Sequence, residues 1–245
     1  MSSYKGHSIF ALILSLLMFY DPFAIALAIL GANIPDFDHE LKRNHVLIII
    51  SVGILLSMFL YLLNLPIYLG LIIGLLGVIF LLSSHRGFTH SILGCIVLAV
   101  SLFLLVYFGM DLSSYFNLSA ITNIPLNYII LAGVLIFLSI LFLNRKLASI
   151  FIVFMVLFIG LVSFGIIPVF KINVYVLIFS IFLGLFSHMI LDSFSPSGIK
   201  PFSPFSDKKY YKKLGIFLLA VIIVSYLLLF PDKLAFYFNF LSNIN

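Results

Sequence analysis

Apolar residues run along this chain in long blocks broken by short polar interruptions. Nine blocks stand out, at 8–20, 22–34, 46–64, 66–82, 91–110, 126–143, 147–168, 173–192 and 214–230. Their lengths suit helices rather than strands, and most approach the ~20 residues a helix needs to cross a bilayer. The first two are shorter and meet at Asp21-Pro22, where proline keeps the preceding residue out of the helical region and favours a turn. Helices of about 13 residues span only about 20 Å, so this pair is expected to be hairpin-like, re-entrant or set in a thinned region. Asn64-Leu65-Pro66 predicts a second tight turn. The expected fold is all-α: a polytopic helical membrane protein with eight or nine membrane segments. A single domain accounts for residues 1–245.

Composition sharpens this. Only 9% of residues are charged and 64% are hydrophobic, with mean hydropathy +1.30. Soluble domains carry roughly 25% charged residues, so a water-soluble globule is excluded. The start of the chain superficially resembles a signal peptide. It lacks a convincing small-residue cleavage site and is read as a retained first membrane segment, with His7 just ahead of it. Cys95 is alone and cannot form an intramolecular disulfide.

Charge adds sidedness. If every block crosses once, residues 35–45, 83–90, 144–146 and 193–213 all lie on the side where His7 starts. That side also holds Lys5, Lys42, Arg43, Arg86, Arg145, Lys146, Lys200, Lys208, Lys209, Lys212 and Lys213. The other has Lys171 and Lys233. Basic residues concentrate in cytoplasmic loops, so the His7 side is expected to face the cytosol. The net charge of +5 follows from this topology, and no nucleic-acid partner is expected.

The same loops hold the residue types that bind metals. They read G-A-N-I-P-D-F-D-H-E at 31–40, S-S-H-R-G-F-T-H-S at 83–91 and S-H-M-I-L-D-S-F-S-P-S-G at 187–198; four of the six histidines fall in them, His45 follows the first, and His7 lies ahead of the first apolar block. Ionisable groups beside hydrocarbon are costly unless paired or coordinated, so they mark a functional site. His188 and Asp192 are four apart, on one helical face, where they can share a metal or simply hydrogen-bond at a helix end. Asp36 and Asp38 flank Phe37, and paired carboxylates repel unless a cation or proton lies between them. His39 and Glu40 read as solvent-facing or supporting. A turn at Gly87 could bring His85 and His90 into one site, where neutral imidazoles suit zinc, iron or manganese. Arg86 offers a planar fork for phosphate, or marks topology. Thr89 or Ser91 could cap the following helix, and His45 begins a helix outside the clusters. The glycines at 53, 70, 74, 77, 133, 160, 165 and 184 read as helix-packing positions. The 196–205 loop could cover the site, while the lysines after it would set topology and attract anionic lipid.

Taken in order, His7, P-D-F-D-H, H-R-G-F-T-H-S and S-H-M-I-L-D…G…P-F resemble the YdjM family of predicted membrane-bound metal-dependent hydrolases. The motifs extend over residues 7–205. The resemblance implies a divalent-metal hydrolase site, with His7, Asp36, Asp38, His85, His90, His188 and Asp192 as candidate ligands. The metal would be zinc first, with manganese or iron as alternatives, and one or two ions. The His-x-x-x-Asp helix also looks like those of zinc-dependent phospholipases C, which points to membrane lipids or another amphiphilic phosphoester as substrate. Two positions depart from the family pattern, Ser195 where threonine is expected and Glu40 where proline is more usual. In the expected chemistry Asp36 or Asp38 takes a proton and Arg86 offsets phosphoryl charge. A transporter or metal-handling protein and a non-enzymatic scaffold are the competing readings. Transporter sites lie near the bilayer midplane, whereas these clusters lie at helix ends.

Overall fold

The structure, a computed structural model, describes residues 4–36, 43–83, 87–115, 126–167 and 173–231. Among them are nine α-helices: α1 Tyr4–Met18, α2 Pro22–Asn33, α3 Arg43–Leu62, α4 Tyr68–Leu82, α5 Ile92–Asp111, α6 Leu126–Phe142, α7 Arg145–Ser163, α8 Val174–Ser193 and α9 Lys212–Leu229. Short 3₁₀ turns, Phe88–His90 and Leu112–Tyr115, flank α5. Five helices are long and apolar enough to cross a membrane (α3, α5, α7, α8 and α9), and the other four are apolar but shorter. The protein is a polytopic helical membrane protein.

Each expected block contains one helix, with two informative shifts. First, α1 begins at Tyr4, so His7 lies inside the helix rather than ahead of it, and its side chain is buried. Second, the block expected to run to residue 168 ends as a helix at Ser163, because Gly165 turns into the left-handed region at φ +69°. Apolar continuity overran that stop, since a glycine leaves the hydrophobic pattern unbroken while permitting a reversal.

The hairpin at Asp21-Pro22 forms as expected. Asp21 Oδ1 accepts a hydrogen bond from the Phe23 N–H at 2.9 Å, and Pro22 occupies the first turn of α2, where its missing N–H costs nothing. At the second expected turn, Asn64 takes φ +54°, a conformation that asparagine tolerates.

Helix α2 is apolar up to Asn33 at its end, and nine of its 12 residues are buried, which is how a helix without a polar face survives. It lies against α8, whose spanning window is 61% buried, whereas those of α3 and α9 are 22% buried and face outward. The α2–α8 crossing is close. A Cβ on Gly31 would lie 2.9 Å from the Ile181 carbonyl oxygen, and one on Gly184 would overlap the Ala28 carbonyl. Gly53, Gly70 and Gly77 play the same part between α3 and α4. A Cβ on Gly74, Gly133, Gly160 or Gly165 meets open space, so packing does not require glycine at those four. Around the central pair stand α1, α5, α6 and α9, with α3–α4 packed beyond α5 and α7 beyond α6.

Candidate metal centre

Four short pieces of chain meet at one end of the α2–α8 pair. Helix α1 supplies His7 one turn after its start, and the turn after α2 supplies Asp36. The 3₁₀ turn before α5 supplies His90, and the last two turns of α8 supply His188 and Asp192. His188 and Asp192 are a helical turn apart on one face, and their Nε2 and Oδ2 atoms are separated by 3.5 Å. Local order holds the pieces in place. Ser91 caps α5, its Oγ accepting from the Gly94 N–H at 3.0 Å and donating to the Phe88 carbonyl at 2.7 Å. That cap fixes the turn carrying His90.

All three imidazoles present Nε2 to the same two carboxylates. His7 lies 3.7 Å from Asp36 Oδ2 and 3.6 Å from Asp192 Oδ1. His90 lies 3.5 Å from Asp36 Oδ1 and 3.7 Å from Asp192 Oδ2, and His188 lies 3.6 Å from Asp36 Oδ1. The rings of His7 and His188 stack at 3.9 Å with an interplanar angle of 16°. Four of the side chains are at most 2% exposed, and Asp36, at 16%, is the one that faces outward.

These separations exceed the 2.7–3.2 Å of an ordinary N–H···O hydrogen bond. They lie close to the ~3.4 Å between neighbouring donors on a tetrahedral cation with bonds of about 2.1 Å. One donor's tautomer follows from its partner. His188 Nδ1 is 2.7 Å from the Ala32 carbonyl oxygen, which can only accept, so Nδ1 carries the proton. In the neutral ring Nε2 is then a buried lone pair with no hydrogen-bond partner among the described residues, aimed at Asp36 and Asp192. Metal-bound histidines characteristically hold their second nitrogen this way. Ligand atoms of His7, Asp36, His188 and Asp192 lie within 4.8 Å of one another, and that group could hold a metal ion. Nitrogen and carboxylate donors together suit zinc, manganese or iron.

Electrostatics favour the ionised carboxylate at the outward edge. Burial alone would raise the Asp36 carboxyl, but the His90 imidazole and the neighbouring His188 and His7 rings outweigh it and hold the group below its ordinary value.

Of the residues singled out in the sequence, the fold brings together His7, Asp36, His90, His188 and Asp192. Asp38, His85 and Arg86, with His39 and Glu40, lie outside the described residues. His45 stands apart on α3, as expected. Thr89 was a candidate cap, but its buried Oγ1 lies 3.1 Å from His90 Nδ1 and Ser91 does the capping. The 196–205 loop is tied down near His90: the Pro201 carbonyl accepts from the Ile92 N–H at 2.9 Å, and Ile199 and Tyr210 bridge in antiparallel fashion.

Sequence reasoning passed over three supporting residues. Asn33, fully buried, donates from Nδ2 to the Ile29 carbonyl at 2.7 Å and to Ser8 Oγ at 2.9 Å. It thereby joins α2 to α1 just beside His7. The Tyr4 hydroxyl donates to the Asp36 carbonyl at 3.1 Å. The one available signal was an amide side chain at the end of an otherwise apolar block.

A bundle of apolar helices enclosing a buried His/Asp cluster defines a membrane protein with a possible metal centre. The chain belongs to the YdjM inner membrane protein family, which it matches over residues 1–241. No curated protein and no solved structure matches it significantly.

Proposed function

We propose that this protein is a membrane-bound, metal-dependent hydrolase with a site open to the cytosol, acting on a lipid or another amphiphilic phosphoester. The observation carrying this reading is the convergence of three imidazole Nε2 atoms on two carboxylates, with His188 locked in the metal-binding tautomer by Ala32. His7, His90, His188, Asp36 and Asp192 would hold the ion, zinc first and manganese or iron as alternatives. A divalent ion there would acidify water toward neutral pH and polarise an ester or phosphoryl oxygen.

The chain's own groups supply the rest. Asp36, the outward-facing carboxylate, stays ionised at neutral pH and can take a proton at whichever oxygen is left free. His7, His90, His188 and Asp192 are shut away from water, which strengthens the interactions among them. Arg86 and Asp38 keep the roles expected of them, offsetting phosphoryl charge and sharing the acidic edge. The arginine- and lysine-bearing starts of α7 and α9 lie, in chain order, on the same side as the cluster, which supports a cytosolic site by the positive-inside rule.

The test is elemental analysis of detergent-purified protein, paired with a hydrolysis screen over phospholipids and soluble phosphoesters. Stoichiometric zinc, manganese or iron and turnover lost in His188→Ala are expected. Metal without turnover on any substrate, joined to metal flux into proteoliposomes, would replace this reading with transport. Protein without bound metal would end it.

A further inference from the structure

A groove of about 620 Å³ runs between the starts of α1, α3 and α7 and the end of α6. That is within the ~300–1,000 Å³ typical of ligand sites. Its polar residues are Tyr4, His45, Asn144, Arg145 and Ser149, and Ile49 and Ile152 are among its apolar walls. Its rim residues Ile48 and Ile140 are 52% and 59% exposed, so it opens toward the hydrocarbon that surrounds the bundle. Among the described residues, none of those lining it is acidic. A cation and hydrogen-bonding groups above an apolar trough match one kind of occupant, an amphiphile with a negatively charged head.

We propose that this groove binds an anionic phospholipid drawn sideways from the bilayer, with the phosphate at Arg145 and His45 and an acyl chain along Ile49 and Ile152. Tyr4 connects the groove to the metal centre. Its ring lines the groove while its hydroxyl holds the Asp36 carbonyl, and Asp36 is the outward member of the cluster. A lipid seated here has its headgroup beside the exposed edge of the site. The proposal names the substrate class of the hydrolase reading and rests on that reading for its catalytic meaning, but lipid binding in the groove does not require it.

The chain has no tryptophan, so one introduced indole reports its own surroundings. Full-length Ile48→Trp is reconstituted in phosphatidylcholine vesicles containing equal fractions of either brominated phosphatidylglycerol or brominated phosphatidylcholine. Ile216→Trp, on the outward face of α9 beside Lys212 and Lys213, controls for general attraction of anionic lipid to a basic interface. Quenching at Ile48→Trp should favour phosphatidylglycerol about fivefold over the control position, the worth of one well-placed cation. Ile140→Trp, on the opposite wall, should report the same preference. Arg145→Gln should bring both back to the control ratio, and His188→Ala should leave them unchanged. Equal ratios at groove and control, or a preference that survives Arg145→Gln, overturns the proposal and leaves ordinary annular lipid. A preference that persists in protein without hydrolytic turnover upholds the groove and counts against the hydrolase reading alone.

Discussion

His188 Nδ1 lies 2.7 Å from the carbonyl oxygen of Ala32, across the closest helix crossing in the molecule's centre. The contact joins α8 to the last turn of α2 and sets the tautomer at the site. Only a backbone approach this tight lets an imidazole on one helix reach a carbonyl still inside the turns of the other.

His188→Ala removes both the donor to Ala32 and the lone pair aimed at Asp36 and Asp192. Bound metal per chain should fall at least about tenfold, since even loss of an outer partner costs 10–100-fold in affinity. Membrane insertion should be unchanged. Elemental analysis of the purified variant checks this, and full metal content would remove His188 from the site.

Gly184→Ala drives a methyl group into the Ala28 carbonyl, where backbone rather than a flexible side chain must give way. A destabilisation of at least about 1–3 kcal/mol is expected, as for overpacking generally. Metal should be lost with it, because Asp36 follows α2 whereas His188 and Asp192 ride on α8. Gly133→Ala on α6 faces open space and should change neither property. Thermal unfolding in detergent with and without added zinc compares the two, and equal behaviour would contradict the crossing.

Asn33→Leu leaves Ser8 without its link to α2 and deletes a buried amide at the point where α1 and α2 approach the site. Stability should drop by about 1–3 kcal/mol, the usual cost of breaking a buried hydrogen-bonded pair on one side. His7 should also bind less firmly, so that metal dissociates faster from the variant. Chelator-driven release rates measure this; an unchanged rate would show that the Asn33–Ser8 pair does not position His7.

Acidification probes Asp36. Its folded-state value is held below the ordinary one of 3.8, so its ionised form contributes stability above about pH 4 and the contribution fades as pH falls through the lowered value. In chelator-treated protein, the stability advantage of wild type over Asp36→Asn should therefore persist down to about pH 4 and narrow below it. Unfolding midpoints across that range supply the test. A gap that begins to close near pH 6 would mean that the carboxyl is raised rather than lowered.

The particular residues show what could be read from the linear chain. Nine apolar blocks, the Asp-Pro hairpin, the same-face spacing of His188 and Asp192, and the parity argument placing His7, Asp36, His90 and Asp192 on one side all follow from short-range rules. Helical period, turn chemistry and block length act over a few residues and need no partner. Where α7 stops was less legible, because Gly165 is apolar in the pattern yet left-handed in the fold.

Other features depend on contacts between segments far apart in sequence. Burial of His7 inside α1, the pairing of His188 with Ala32 across 156 residues and the Asn33–Ser8 clasp are of this kind. A sequence marks a residue as able to donate, accept or coordinate, but a partner's identity is a distance, and distances arise only when helices pack. The donor types were therefore present in the chain from the start. Their meeting within hydrogen-bonding and coordination reach was decided by the glycine-thin crossing of α2 and α8.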